Sequence, residues 1–101
     1  MVFIYITCRD AEEAKKLGKI IIEDHLAACI NIWPVESMYI WKEKLTEEKE
    51  AVLLVKTSEA RVQDIEDLIH KHHTYSIPLV GTVDLRRINR AYKEWASQII
   101  R

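Results

Sequence analysis

The order in which strand-like and helix-like segments follow one another is the feature that most limits the fold of this chain. The nearly continuous apolar run at 2–8 is typical of a central strand covered on both faces. Apolar residues then recur at helical spacing behind Asp10, and Glu13 three residues later completes the pattern of a helix N-terminus. Further strands are predicted at 28–33, 37–42, 50–56 and 79–85, and further helices after Ser58 and after Asn89.

This order is β-α-β-β-α-β plus a C-terminal helix, with the second strand divided at Pro34 and a polar connection at 44–49. The simplest fold for this order of elements is a ferredoxin-like split βαβ sandwich of the α+β class with an extra C-terminal helix. We find no linker, repeat or low-complexity tract, so the sequence predicts a single domain over residues 1–101.

Composition narrows the class of protein but not its function. Fifteen basic and sixteen acidic residues give a net charge of −1, without the basic excess that is typical of proteins that bind duplex nucleic acid. No apolar run approaches the roughly 20 residues that span a bilayer. Two cysteines do not make a disulfide scaffold. We therefore expect a soluble cytoplasmic protein that has neither a nucleic-acid nor a membrane partner.

Two of the predicted strands carry more apolar surface than one layer of helices can cover. The strand at 37–42 places Met38 and Ile40 on one face and Tyr39 and Trp41 on the other, and the segment 52–55 is apolar on both faces. In a two-layer sandwich the helices cover only one face of the sheet. Association with further copies of the chain is the favoured interpretation, and a C-terminal helix folded over the open face is the alternative.

Five motifs, in order along essentially the whole chain, resemble those of the CutA divalent-cation tolerance family. They are Leu26–Ile32, Ser37–Trp41, Glu50–Thr57, His73–Pro78 and Tyr92–Trp95. The chain departs from the family pattern at two positions. Thr74 stands where a proline is usual, which loosens the turn, and Leu79 stands where a glutamate is usual, which removes a carboxylate.

The resemblance implies a ferredoxin-like subunit in a compact homotrimer, a role in divalent-cation tolerance, binding of Cu²⁺ and no catalysed reaction. It also implies a ligand set. Cys8 matches a metal-linked cysteine of some relatives, and His72 and His73 match a histidine pair.

The residues themselves leave several interpretations open. Thiolate and imidazole suit copper, but the spacing of the candidates fits no zinc-finger pattern. These candidates are Cys8, Cys29, His25, His70, His72 and His73. Cys29 is predicted to be a buried core thiol and His72 a core or interface histidine on the apolar stripe of its helix. His73 is expected to be exposed beside the turn, and His25 and His70 are expected to be solvated.

Other function classes find little support in the sequence. Neither cysteine lies in a glycine-rich oxyanion turn or a nucleophile elbow, so a thiol enzyme is disfavoured. Gly18 and Gly81 are isolated and form no phosphate-binding loop. Two alternatives to a copper-binding tolerance protein stay open: a small-molecule sensing or signalling module that uses clefts between subunits, and a structural partner protein.

Overall fold

The computed structural model describes all residues 1–101 as four antiparallel strands and three helices. The elements are β1 (Val2–Cys8), α1 (Ala11–Glu23), β2 (Cys29–Trp41), β3 (Lys44–Thr57), α2 (Val62–His72), β4 (Val80–Asp84) and α3 (Arg90–Ile99). A 3₁₀ turn, Glu59–Arg61, leads into α2. The strand order is β2-β3-β1-β4. This is the arrangement of a ferredoxin-like sandwich, so the predicted fold class is confirmed.

The core lies between α1, α2 and one face of the sheet. Alternate residues of β1 turn to this face, and the register pairs Ile4 with Val55 and Ile6 with Leu53. The fully buried large side chains include Ile4, Ile6, Leu53 and Val55 of the sheet, Leu17 and Ile21 of α1, and Ile65 and Ile69 of α2. Cys8 is the last of the inward-facing residues of β1 and is also fully buried.

Helix α1 begins as the sequence predicts. Asp10 is the N-cap, and its side chain accepts a hydrogen bond from the Glu13 backbone N–H at 2.8 Å. The Glu13 carboxylate reaches back one residue further than in an ideal capping box, because it accepts from the Arg9 N–H at 2.9 Å. This reach turns Glu13 inward toward the end of β1.

The prediction of separate strands at 28–33 and 37–42, followed by a polar loop at 44–49, is wrong. β2 and β3 are long continuous strands joined directly at Lys42 and Glu43, whose φ angles of 50° and 66° are left-handed. β2 tolerates Pro34 because it is an edge strand, where a missing N–H removes little from the ladder. The hairpin continues beyond the end of β1, which pairs Cys8 with Ala51, and forms an arm on a molecule of 47 × 26 × 20 Å.

The second face of the sheet is covered only in part. Helix α3 lies on this face, where the Lys56 Nζ is 5.9 Å from the centre of the Tyr92 ring. The predicted alternative, in which the C-terminal helix folds over the open face of the sheet, therefore holds for only one corner of that face. The large apolar side chains that stay exposed on this face and along the arm include Trp33, Met38, Tyr39, Ile40, Trp41, Leu45, Val83 and Trp95. No helix is long and apolar enough to cross a membrane.

Candidate metal centre

Three side chains with metal-binding atoms converge where β1 ends. The Cys8 thiol, the Glu13 carboxylate and the His73 imidazole each place one ligand atom within 4.8 Å of the others. Cys8 is the last residue of β1, Glu13 lies in the first turn of α1, and His73 follows the last residue of α2. The sandwich topology brings these element ends together, although the sequence separates them by up to 65 positions.

Glu13 links the start of α1 to the segment that follows α2. One carboxylate oxygen accepts from the Arg9 N–H, and the other accepts from the Thr74 N–H at 3.1 Å. Burial alone would raise the pKa of this carboxyl group, but the hydrogen bonds from Thr74 and Arg9 outweigh burial, and the net pKa is lowered. Glu13 is therefore a buried, ionised carboxylate at neutral pH.

Both ring nitrogens of His73 are engaged. Its imidazole is fully buried, so the prediction that His73 is exposed is wrong, and Nδ1 accepts a hydrogen bond from the Tyr75 N–H at 3.0 Å. Nε2 lies 2.8 Å from the carbonyl oxygen of Thr7, which can only accept, so we assign the proton to Nε2 from its partner. The ring is thus the neutral Nε2–H form and has no free lone pair in this arrangement.

Cys8 is held as a thiol. Burial is the main cause, followed by the nearby carboxylates of Glu13, Asp10 and Glu50, and together they raise its pKa from 9.0 to about 12. Because the thiolate is the nucleophilic and metal-binding form, Cys8 is unreactive at neutral pH unless a cation displaces its proton.

Tyr75 lies between the cluster and the β2–β3 hairpin. Its hydroxyl donates to Glu50 Oε2 at 2.5 Å, and its ring centre lies 4.7 Å from that of His73. Burial, then the bond to Glu50, raises the pKa of the Tyr75 hydroxyl. The phenol is therefore a donor at neutral pH.

The structure brings together two of the three predicted ligands. Cys8 and His73 lie in the cluster, whereas His72 is exposed at the end of α2 and outside it. The prediction of a core position for His72 is wrong, because the helix ends there and its side chain is exposed in the single chain, whereas an interface position stays a prediction. His70 is also exposed and His25 is half-buried. A part of His72 in metal binding stays a prediction.

Two further outcomes concern residues that the sequence patterns misplaced or missed. Cys29 is half-buried on the second face of the sheet, not in the core. Sequence reasoning gave Glu13 only a capping role and did not give Tyr75 any role. The cap at Asp10 places Glu13 just after Cys8, and this proximity is the signal that could have found it.

The donor types of the cluster fit a borderline or soft divalent cation. Sulfur, imidazole nitrogen and one carboxylate oxygen suit copper or zinc better than magnesium or calcium. Loading such a site requires Cys8 to lose its proton and the His73 proton to move from Nε2, where it bonds to Thr7, to Nδ1, which must first lose the bond from the Tyr75 N–H. A surface pocket of about 470 Å³ lies elsewhere, on the hairpin arm between 36–38 and 47–49.

Comparison with known proteins identifies the family. The family model described as "CutA1 divalent ion tolerance protein" matches residues 2–99. The chain belongs to the CutA1 family. A relative from Thermococcus kodakarensis, named divalent-cation tolerance protein CutA, is 31% identical over 98% of this chain and 95% of its own length.

Solved CutA1 structures share the whole fold. A mutant of CutA1 from Pyrococcus horikoshii OT3 is 30% identical and covers 100% of this chain and 99% of its own, with a TM-score of 0.97. CutA from Archaeoglobus fulgidus, described as a periplasmic divalent cation tolerance protein, is also 30% identical with a TM-score of 0.96 and covers 100% of both chains. Because this relative is described as periplasmic, a cytoplasmic location stays a prediction for the present chain.

Proposed function

We propose that this CutA1 protein is a non-catalytic, homotrimeric protein that binds a divalent cation, Cu²⁺, through Cys8, Glu13 and His73. The observation that carries the proposal is the convergence of a thiol, a carboxylate and an imidazole within 4.8 Å of one another. Membership of a divalent ion tolerance family supports a cation as the ligand.

The residues of the cluster would bind the cation by giving up their resting partners. Cys8 releases its proton, since a thiol ligates as thiolate. His73 would present a lone pair of Nε2 to Cys8 and Glu13 only after the Nε2 proton has left its bond to the Thr7 carbonyl and Nδ1, released by the Tyr75 N–H, has taken up a proton from solvent. Glu13 is already ionised and stays in place through the Arg9 N–H. A bound divalent cation would balance the two negative charges of the Cys8 thiolate and the Glu13 carboxylate.

A second group of observations supports assembly. Trp33, Val83 and Trp95 are exposed on the sheet face opposite α1 and α2, and further apolar side chains are exposed along the arm. Large exposed apolar patches commonly mark interaction sites. Closed symmetric oligomers are the usual solution, and the homotrimer is the form that the motif resemblance implies.

The test is a calorimetric titration of the purified protein with Cu²⁺ under anaerobic conditions. Zn²⁺ is titrated in parallel because it does not oxidise thiols. Cys8→Ser and His73→Gln should each weaken binding by at least tenfold, whereas His72→Ala, at an exposed neighbour, should leave it unchanged. Unaltered affinity in His73→Gln would reject the cluster as the site. A loss in His72→Ala would instead restore His72 as a ligand.

A further inference from the structure

The segment between α2 and β4 closes over the cluster through one inward-facing aromatic residue. Thr74, Ser76, Ile77 and Leu79 are exposed, and the side chain of Ile77 is 81% exposed. Tyr75 is half-buried and turns back toward the hairpin and the cluster. A loop with so few buried side chains is held mainly by its specific hydrogen bonds, so the bonds of Tyr75 decide how firmly it is closed.

Tyr75 makes contacts in two directions. Its hydroxyl donates to Glu50 Oε2 of β3 at 2.5 Å, and its backbone N–H donates to His73 Nδ1 at 3.0 Å. The two rings also pack together, with their planes inclined by 50°. One residue therefore connects β3 to the imidazole of the cluster.

The two bonds differ in strength and in consequence. A hydrogen bond from a hydroxyl to a carboxylate is roughly twice as strong as one between neutral groups. The bond to Glu50 thus anchors Tyr75. The bond to Nδ1 then fixes which nitrogen of His73 carries the proton, because an N–H donor at Nδ1 leaves the proton on Nε2, where it bonds to Thr7.

We propose that Tyr75 is a latch that keeps His73 from presenting a lone pair to a cation, and that the bond between the Tyr75 hydroxyl and Glu50 holds this latch closed. The inference rests on the proposed cation site and adds its regulation. Tyr75 is a positioning residue, since it acts through His73 and donates no lone pair of its own to the site.

Tyr75→Phe tests the latch because it removes the hydroxyl and retains the ring that packs on His73. In the metal-free protein, amide hydrogen exchange should become at least tenfold faster at Thr74 and at position 75, whose N–H groups are bonded to Glu13 and His73. The ¹⁵N shifts of the His73 ring should move from those of a fixed Nε2–H form toward a mixture of tautomers. Zn²⁺ uptake, followed by stopped flow, should become at least fivefold faster.

Two further variants keep the test decisive. Glu50→Gln retains an acceptor for the Tyr75 hydroxyl but removes its charge. It should change exchange and uptake in the same direction as Tyr75→Phe, but by less. It also provides the test if Tyr75→Phe fails to fold. Tyr5→Phe is the matched control, because the Tyr5 ring packs edge-on against Trp33 on the other face of the sheet and should change neither exchange nor uptake.

The outcomes separate the latch from the site itself. Zn²⁺ binding by the wild type, with exchange and uptake unchanged in Tyr75→Phe, would overturn the latch and leave the proposed function in place. Binding that is detected only in Tyr75→Phe would support the latch. Absence of Zn²⁺ and Cu²⁺ binding in every variant would overturn both.

Discussion

The candidate site depends on which way each of two adjacent histidines faces at the end of α2. Successive residues on a helix point about 100° apart, so a histidine pair cannot place both rings in one buried site without distortion. His73 leaves the helix in an extended conformation, with ψ of 145°, and its ring enters the cluster, while His72 stays on the exposed side. Motif resemblance located the pair, but only the helix end decides between its members.

Glu13 shows a second limit of sequence reasoning at the residue scale. Its position three residues after Asp10 predicts a capping role, and that role is confirmed. The same carboxylate also contacts the Thr74 N–H, 61 positions away, which no local pattern encodes. When a residue contacts both a local and a distant partner, the sequence pattern predicts only the local contact.

The buried Cys8 thiol predicts a loss of stability at alkaline pH. Its pKa is about 12 in the folded protein and 9.0 ordinarily, so the folded state keeps a proton that the unfolded chain loses. The stabilising contribution is complete below pH 9 and is lost as pH rises toward 12, with a slope of about 1.4 kcal/mol per pH unit.

Urea unfolding of the wild type and of Cys8→Ala at pH 8, 9 and 10 measures this effect. Titration of lysines and tyrosines is common to both proteins, so the difference in unfolding free energy isolates Cys8. We expect this difference to shrink as pH rises above 9. Parallel stability curves would contradict a raised pKa.

At the scale of elements, the hairpin shows why strand boundaries were misjudged. Proline and charged residues within 34–50 normally indicate breaks, but β2 lies at the edge of the sheet and the arm is exposed on both faces. The turn also lacks its usual signal. Asn-Gly is the usual choice where two successive residues are left-handed, and here Lys42 and Glu43 occupy those positions.

The same turn yields a prediction about stability. Left-handed backbone costs an ordinary L-residue about 1–2 kcal/mol relative to its preferred conformations, and glycine avoids this cost. The double substitution Lys42→Asn/Glu43→Gly should therefore raise the unfolding free energy by about 1 kcal/mol, measured by thermal unfolding. The control Lys44→Asn, in the adjoining strand, should not stabilise the protein. Lower stability in the turn variant would show that the strain is absent.

The packing of α1 on β2 predicts an energetic coupling between two residues. A Cβ added at Gly18 would collide with the Cδ1 atom of Ile30, while its contact with Leu53 Cδ1 at 3.4 Å would be ordinary. Alanine also gains about 1 kcal/mol over glycine in a helix interior. In the wild-type background the collision should offset this gain, so Gly18→Ala should leave stability unchanged or lower.

A double-mutant cycle measures the coupling, because Ile30→Val removes the colliding atom. Gly18→Ala should stabilise the Ile30→Val protein by about 1 kcal/mol more than it stabilises the wild type. Equal effects in the two backgrounds would mean that Ile30 moves aside without cost.

At the scale of the whole molecule, the fold class follows from the order of elements, whereas the exposed surface needed the three-dimensional structure. The sequence predicted apolar residues on both faces of two strands. It could not place α3, which covers only the corner around Lys56 and Tyr92. The aromatic side chains left uncovered are spread over the sheet face and the arm, so assembly should depend on both regions.

Assembly can be tested at Trp41, which lies near the tip of the arm and is 53% exposed in the isolated chain. Sedimentation at low micromolar concentration should give the mass of a trimer for the wild type. If Trp41 is buried against a neighbouring subunit, Trp41→Ala should reduce the association free energy by more than about 2 kcal/mol, as truncation of large aromatic interface residues does. This corresponds to a roughly 30-fold larger dissociation constant. Lys44→Ala is the matched control, because Lys44 pairs with Trp41 across the hairpin and should leave the mass unchanged. A well-folded wild-type monomer of about 12 kDa would refute the trimer, since the exposed aromatic face would then be stable in water without a second copy of the chain.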